Sequence, residues 1–468
     1  MLRAGYIHVL ISALGFLTLP VTQAEAQPPA NSIPPRLTLA QAENLLIERN
    51  LTILAAKYQI EANRAARLIS SYKPNPVLTV CAEQLPFVSP VPGSVPRLLG
   101  TNPDAGANPV YTLRVDKIWE RGGKRELRTS LADEQLQASE AQMLDATRTQ
   151  VFQLRRAFAT TMLARENLNL AEAADRQYAQ TENLTQAKVD QGDIAKVEIY
   201  RVSAGRLQYQ QAVLQARTGY DGAIRDVLNL LGAREEEVQT SIVQTARVQP
   251  LAARDAAPVA SDLQELESPR TPLELISDFD DRPVLQTLNE LRAIALAERP
   301  DVLAARHLLA SAVNGVQLAE AQRTRDVDTA YEYQRVGNDH SLGFVVQVPL
   351  FLYNNQRALF AQAEAQKRAA EAQLKQAELQ AVTDVDKAYR SYLSARRVLE
   401  VYNTQNLSQV DKLRTVAAVS YREGASSLFE FLDAQRAYSQ AMTAYNQARY
   451  DYQMTLWELE QATGRSLR

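Results

Sequence analysis

Very little in this chain can do covalent chemistry. Its 468 residues hold one cysteine, Cys81, so no internal disulfide forms and packing alone must hold the fold. Three histidines (His8, His307 and His340) leave little for a metal or acid–base centre. No phosphate loop of the P-loop kind, no Gly-x-Ser-x-Gly and no zinc-ligand spacing is present, so neither cofactor, metal nor enzymatic activity is expected. With 51 basic against 54 acidic residues the net charge is −3, without the basic excess of a nucleic-acid binder. Beyond the N-terminus no stretch approaches 18 consecutive apolar residues, which excludes helical membrane spans there. Proline and glycine are both missing from Lys124 to Gln191 and from Gln356 to Glu423.

The N-terminus reads as an export signal. Arg3 supplies the positive charge, Tyr6 to Leu19 the short apolar run, and Ala24-Glu25-Ala26 the small-x-small cleavage pattern. Residues 1–26 are thus expected to be removed, and Gln27 at the new terminus offers no cysteine for lipid attachment. The run is too short for the roughly 20 residues of a spanning helix.

The rest reads as one unit written twice. An offset of 232 residues pairs Arg125 with Arg357, Gly192 with Gly424, Glu198 with Glu430 and Gly232 with Gly464, and brings Gln215-Ala216-Arg217 onto Gln447-Ala448-Arg449. Upstream, Glu48-Arg49 and Leu54-Ala55-Ala56 resemble Glu298-Arg299 and Leu303-Ala304-Ala305. Each half is expected to run helix, strand, loop, strand, very long helix, turn, helix. The first repeat covers 27–232, with a β-hairpin over 77–118 and a helical tip near 192. The second covers 285–468, with a β-hairpin over 327–348 and a tip near 424. A proline-bearing linker, 233–284, joins them and receives no element.

The two glycine- and proline-free stretches carry the helices. Ala370, Leu374, Ala377, Ala381, Val385, Ala388, Tyr392, Ala395, Leu399 and Tyr402 recur every three or four residues, the seam of a supercoiled helix. At about 1.5 Å per residue, either stretch spans roughly 100 Å if continuous. An ordinary coiled-coil rod explains these helices but not the strands. Tyr111, Leu113 and Val115 alternate with Thr112, Arg114 and Asp116; Leu342, Phe344, Val346 and Val348 share a face opposite Ser341, Gly343, Val345 and Gln347. Tyr331 and Tyr333 alternate with Glu332 and Gln334, while Val77 to Gln84 alternates poorly. Such segments cross a bilayer with apolar residues toward lipid, or form soluble hairpins. The tyrosines fit the membrane interface or simple packing equally. Four strands cannot close a barrel, and open sheet edges are not tolerated in lipid. Three copies supply about twelve strands, enough to enclose a water-filled lumen that the helices continue. The expected fold is mainly α with β: a trimeric β-barrel, four strands per chain, continuous with a long helical coiled-coil barrel.

Several local sequences carry a resemblance. Asn75-Pro76 precedes the first strand, Gly122-Gly123-Lys124-Arg125 opens the first long helix, and Pro349-Leu350-Phe351 with Asn354-Asn355-Gln356 stands at the matching place in the second half. Tyr421-Arg422-Glu423-Gly424-Ala425-Ser426-Ser427-Leu428-Phe429-Glu430-Phe431-Leu432-Asp433-Ala434-Gln435-Arg436 is the most specific. In these, over nearly all of the mature chain, the sequence resembles the TolC-like outer-membrane efflux family, specifically its cation-efflux (CzcC-like) branch. It departs at Ile118, where the family's first half usually has proline, and in lacking the lipid-bearing cysteine of some relatives.

The resemblance implies a passive homotrimeric duct in the outer membrane of a Gram-negative bacterium, embedded in outer-membrane lipid and extending into the periplasm. Its implied partners are a periplasmic adaptor (membrane fusion) protein and an inner-membrane resistance–nodulation–division pump, with metal cations or other small molecules as cargo. Gly192 and Gly424 mark the hairpin tips that meet the adaptor, Tyr421 falls at a gate position, and Glu198, Glu430 and Asp433 fall at acidic positions. Read from the residues alone, those carboxylates either ring a lumen or answer a helix dipole. Gly122, Gly123 and Pro349 read as strand–helix corners rather than a phosphate-binding loop. Two rivals remain: a periplasmic coiled-coil adaptor or structural protein, which usually carries one helical hairpin, and a secreted enzyme, which needs a convergent polar site that the sequence does not show.

Overall fold

The computed structural model describes residues 33–34, 36–84, 109–234, 238, 273–276, 283–352, 356–402 and 404–467. The expected leader, most of the 233–284 linker, the proline-rich connection after Gln84 and Asn354-Asn355 lie outside the described residues. The first half runs β1 (Arg36–Thr38), α1 (Leu39–Arg49), α2 (Leu51–Ser71), β2 (Val77–Glu83), β3 (Val110–Trp119), α3 (Lys124–Asp190) and α4 (Val197–Leu230). The second runs β4 (Glu274–Ile276), α5 (Leu288–Glu298), α6 (Pro300–Ala321), β5 (Val327–Val336), β6 (Asp339–Gln347), α7 (Arg357–Val401), α8 (Thr404–Arg422) and α9 (Leu428–Thr463).

Local chemistry sets these boundaries, and in three places it corrects the sequence reading. The leading helix of each half is two helices. Asn50 splits the first, its side chain accepting from the N–H groups of Thr52 and Ile53 at 3.0 and 3.2 Å. At the second, Arg299 is extended and Pro300 begins α6 with the φ its ring fixes. The linker is not without structure, since its Glu274–Ile276 pairs in parallel with Arg36–Thr38. Finally, α3 is one helix of 67 residues, about 100 Å long, but its counterpart stops at Val401 and resumes at Thr404. Neither proline nor glycine causes that break. The Asn406 amide donates to Val401 O at 2.7 Å, a side chain serving a carbonyl that continued helix would use.

The four long strands form one antiparallel sheet in the order β2-β3-β5-β6. The register places Leu78, Val80 and Ala82 beside Val115, Leu113 and Tyr111. These continue to Tyr331, Tyr333 and Arg335, then to Phe344, Leu342 and His340. One face is therefore apolar over most of its area, and Val80 (73%), Leu342 (87%) and Tyr331 (67%) stand open on it. The opposite face holds Thr79, Cys81, Thr112, Arg114, Asp116, Glu332, Gln334 and Ser341, with Arg114 paired to Asp116 at 2.7 Å and to Glu332 at 3.6 Å. Val77–Glu83, the least regular segment in sequence, obeys the same two-sided pattern once paired. Ile118 lies within β3 opposite Asp328, so the strand runs on to Trp119 before the chain turns.

That turn is made by Gly122 and Gly123, with φ of +76° and +69°. A Cβ on Gly122 would sit 3.1 Å from Thr324, so the glycine also admits the second half's corner. Lys124 locks the two together, its buried ammonium donating to Thr324 O at 2.7 Å and to Asp326 at 2.8 Å. Pro349 follows β6, exposed.

The seam residues meet in two cores at mid-height. One gathers Leu37, Leu46, Ile53, Leu154, Phe158, Ile224 and Leu275; the other gathers Leu291, Val385, Ala388, Tyr392, Tyr452, Leu456 and Leu459. Arg155 bridges the halves, reaching Glu43 at 2.6 Å and Glu460 at 2.8 Å. Gly464 ends α9 at φ +79°, where an added Cβ would lie 3.1 Å from Arg299 Cα. Gly464→Ala is therefore expected to cost about 1–2 kcal/mol for the left-handed backbone alone, with displacement of Arg299 in addition. Thermal unfolding of the purified variant checks this; an unchanged midpoint would show that the junction has slack.

Candidate site at the tips of the helical hairpins

Far from the sheet, both hairpins turn by the same device. Gly192 and Gly424 are left-handed, with φ of +82° and +79°. Each N–H returns to the preceding helix: Gly192 N to Val189 O at 3.0 Å, and Gly424 N to Tyr421 O at 3.2 Å. The next residues, Asp193 and Ala425, reach one residue further back, to Lys188 O and Ser420 O at 2.9 and 2.8 Å. This double bond pattern closes a helix around a glycine, which takes the conformation without Cβ strain.

Between the two turns lies a groove of about 820 Å³ whose lining includes Leu184, Lys188, Ile194, Glu198, Tyr421 and Phe429. Tyr421 sits at its floor, 5% exposed. Its ring stacks on Phe431 with centroids 5.5 Å apart, among Tyr178, Val202 and Leu428. Its hydroxyl meets the Thr185 hydroxyl, itself fully buried, at 3.0 Å. Lys188, in the last turn of α3, donates to Tyr421 O at 2.8 Å and to Arg422 O at 3.3 Å, and its ammonium lies 4.8 Å from the Tyr421 ring centre. A cation thus satisfies the carbonyl end of α8, where the helix dipole is negative. Two helices from different halves are pinned by one tyrosine and one lysine.

The three acidic positions differ in their surroundings. Glu430 is occupied locally: it accepts from Ser427 N while its own N–H is capped by the Ser427 hydroxyl, both at 3.2 Å. Glu198 pairs with Arg201 at 3.1 Å, one turn along α4. Asp433 is exposed and makes no ion pair with any described residue. Within one chain, then, the helix start accounts for Glu430, whereas Asp433 faces solvent free of a partner. The sequence reading missed Lys188, Thr185 and Phe431. Lys188 carried a signal, as a basic residue in the last helical turn; Thr185 is recognisable only by its contact with Tyr421, 236 residues away, and Phe431, though within the Tyr421–Arg436 run, only by its stacking on Tyr421.

Residues 291–465 match the family model described as outer membrane efflux protein. Among curated proteins, the alkaline protease secretion protein AprF of Pseudomonas aeruginosa is 23% identical over 316 residues, 64% of this chain and 58% of that one. The outer membrane protein TolC of Vibrio cholerae is 32% identical over 128 residues, 27% and 29% of the two chains. The match therefore spans less than two thirds of either relative. Among solved structures, the outer-membrane channel OprN superposes with a TM-score of 0.68 at 20% identity, covering 92% of this chain and 90% of that one, which establishes a shared fold. The family-model match over residues 291–465 and the two curated relatives make this chain similar to the outer membrane efflux protein, TolC-like, family, and the structural likeness adds a shared fold.

Proposed function

We propose that this protein is the outer-membrane channel of a tripartite export system: a passive homotrimer that conducts cargo delivered by an inner-membrane pump and a periplasmic adaptor. The observation that carries the reading is the four-stranded sheet with one exposed apolar face and one polar face, set at the end of a helix about 100 Å long. Such a sheet has two unpaired edges, and in hydrocarbon each unpaired backbone group costs several kcal/mol. Pairing β2 of one copy with β6 of the next removes every edge when the ring closes, and three copies make a barrel of ordinary size. The apolar face then meets lipid and the Arg114–Asp116–Glu332 face meets water. An adaptor with a single hairpin has no use for such a sheet.

At the far end, the two hairpin tips of each copy would gather around the axis. The Tyr421–Thr185–Lys188 pinning holds the tips together, Asp433 adds a threefold carboxylate ring that favours cations, and the grooves beside Gly192 and Gly424 receive the adaptor. The cargo is read by the pump. Metal cations or other small molecules, as in the cation-efflux branch, are the first assignment; a resistance–nodulation–division pump would supply the energy. The likeness to a protease secretion protein favours a second reading, export of a protein through the same duct.

Membrane fractionation of the expressed chain tests the proposal. The protein is expected in outer-membrane fractions, extracted only by detergent, running as a trimer that heat dissociates, and conducting ions in planar bilayers. A water-soluble monomer without conductance would end it. Deletion followed by metal and drug susceptibility, with secreted proteins measured in parallel, separates the two cargo readings.

A further inference from the structure

At the foot of the sheet is a cavity of about 260 Å³ whose lining includes Lys73, Lys117, Trp119, Glu120, Arg125 and Glu126. Its charges do not cancel. Glu120 is held by both terminal guanidinium nitrogens of Arg128, one of them at 3.0 Å. Glu126 is taken by Arg125 at 2.5 Å, and Lys124 is buried against Asp326 and Thr324 O. That leaves Lys73 and Lys117, both exposed and neither with a carboxylate partner among the described residues. The Lys117 ammonium instead lies 4.0 Å from the centre of the Trp119 ring, whose indole N–H donates to Thr329 at 2.9 Å.

Alternation along β3 puts Lys117 and Trp119 on the same face as Leu113 and Val115. That face continues in a shallow apolar hollow formed with Tyr331, Tyr333, Leu342 and Phe344. An apolar track thus ends, within two residues, in an amphipathic ring and two uncompensated ammonium groups. We propose that this corner binds the phosphate headgroup of a glycerophospholipid in the periplasmic leaflet, with its acyl chains along Leu113, Val115 and Phe344. The inference rests on the placement of the sheet in the membrane proposed above. The charge complementarity is specific: lysines answer the phosphate, Trp119 sits at headgroup depth as tryptophans do at bilayer interfaces, and the glycine corner holds the site to the helical tube through Lys124.

The test is native mass spectrometry of the detergent-solubilised full chain, titrated with dioleoylphosphatidylglycerol, with dioleoylglycerol (the same chains without phosphate) and with inorganic phosphate. The wild type is expected to retain phosphatidylglycerol over dioleoylglycerol. Lys73→Ala with Lys117→Ala should weaken phosphatidylglycerol binding roughly tenfold to thirtyfold, while Lys73→Arg with Lys117→Arg keeps it. Millimolar inorganic phosphate should not displace the lipid. Equal retention of the two lipids, or unchanged binding by the alanine variant, overturns the proposal; displacement by inorganic phosphate overturns the lipid assignment. Trimers and conductance read on the same samples separate the outcomes. Intact, conducting trimers without headgroup preference sink this inference alone, whereas absence of trimers and conductance sinks the channel reading beneath it.

Discussion

Arg299→Ala should destabilise the folded chain by about 3 kcal/mol at neutral pH, one of the largest effects of any single substitution outside the hairpin tips. Arg299 stands where α5 ends, α6 begins and the last turn of α9 arrives. Its side chain is only 5% exposed, yet it pairs with Asp301 at 2.7 Å and Asp384 at 3.0 Å. It also donates to Ala462 O at 3.3 Å. Removing it takes the guanidinium from Asp384, leaves Asp301 only the more distant Arg148 at 4.0 Å, and leaves a helix C-terminal carbonyl without a donor. Breaking a buried pair typically costs about 3–5 kcal/mol; the lower end applies because both aspartates keep nearly a third of their side-chain surface in water. Arg299→Lys should fall between, since an ammonium cannot serve both carboxylates and the carbonyl in one plane.

The pH dependence follows from the same contacts. Burial pushes the Asp301 carboxyl upward, but the hydrogen bonds and charge of Arg299 outweigh it, and the net result lies below the usual carboxylate range. A depressed folded value stabilises the chain above the unfolded value of about 3.9 and is lost as pH falls through the folded value. In the alanine variant burial is opposed only by the more distant Arg148 and by the Val302 N–H, so Asp301 there titrates above its wild-type position. The deficit relative to wild type should therefore be largest at neutral pH and shrink as pH drops from about 5 to 3. Urea or thermal denaturation across that interval reads it. A deficit that stays constant would mean that Arg299 acts by packing rather than by charge.

Legibility in the sequence tracked the range of the forces involved. The long helices and the paired strands are written in local periodicity, and Gly122, Gly192 and Gly424, which stood out in sequence as turn residues, have left-handed φ angles. The α7–α8 break between Val401 and Thr404 left no such mark, because an asparagine such as Asn406 competes with helix only through a side-chain hydrogen bond whose success depends on surroundings. The β1–β4 pair was invisible for a different reason. Each strand has three residues, and the partner of Leu37 is Leu275, so no window of sequence contains both. Pro300 and Asn50 did carry the signal for a split leading helix, the one as a proline at a helix start, the other as a cap. At the tips, the acidic residues stood out by composition, but their roles depend on whether a cap or an arginine lies within 3–4 Å. For Glu430 and Glu198 one does.

Tyr421→Ala should open the tips, raising single-channel conductance several-fold over wild type. The ring fills the only cluster of buried side chains that joins the two hairpins near their ends among the described residues, touching Tyr178, Val202, Leu428 and Phe431. Emptying such a site costs about 3–5 kcal/mol, and here the loss falls on a local contact rather than on the mid-height cores, so the tube should stay assembled while its end loosens. Tyr421→Phe removes only the bond to Thr185, whose fully buried hydroxyl then lacks its one described partner, a loss of about 1–2 kcal/mol; its conductance should rise modestly. Lys188→Ala frees the carbonyls of Tyr421 and Arg422 and should act in the same direction. The graded order, with alanine at 421 above the other two, is the diagnostic feature. Planar-bilayer recordings of the three variants at matched salt supply it, and heat-labile trimers on a gel confirm that each remains assembled. If Tyr421→Ala forms stable trimers with wild-type conductance, the narrowest point lies elsewhere, and the tyrosine and lysine serve only to hold two hairpins side by side.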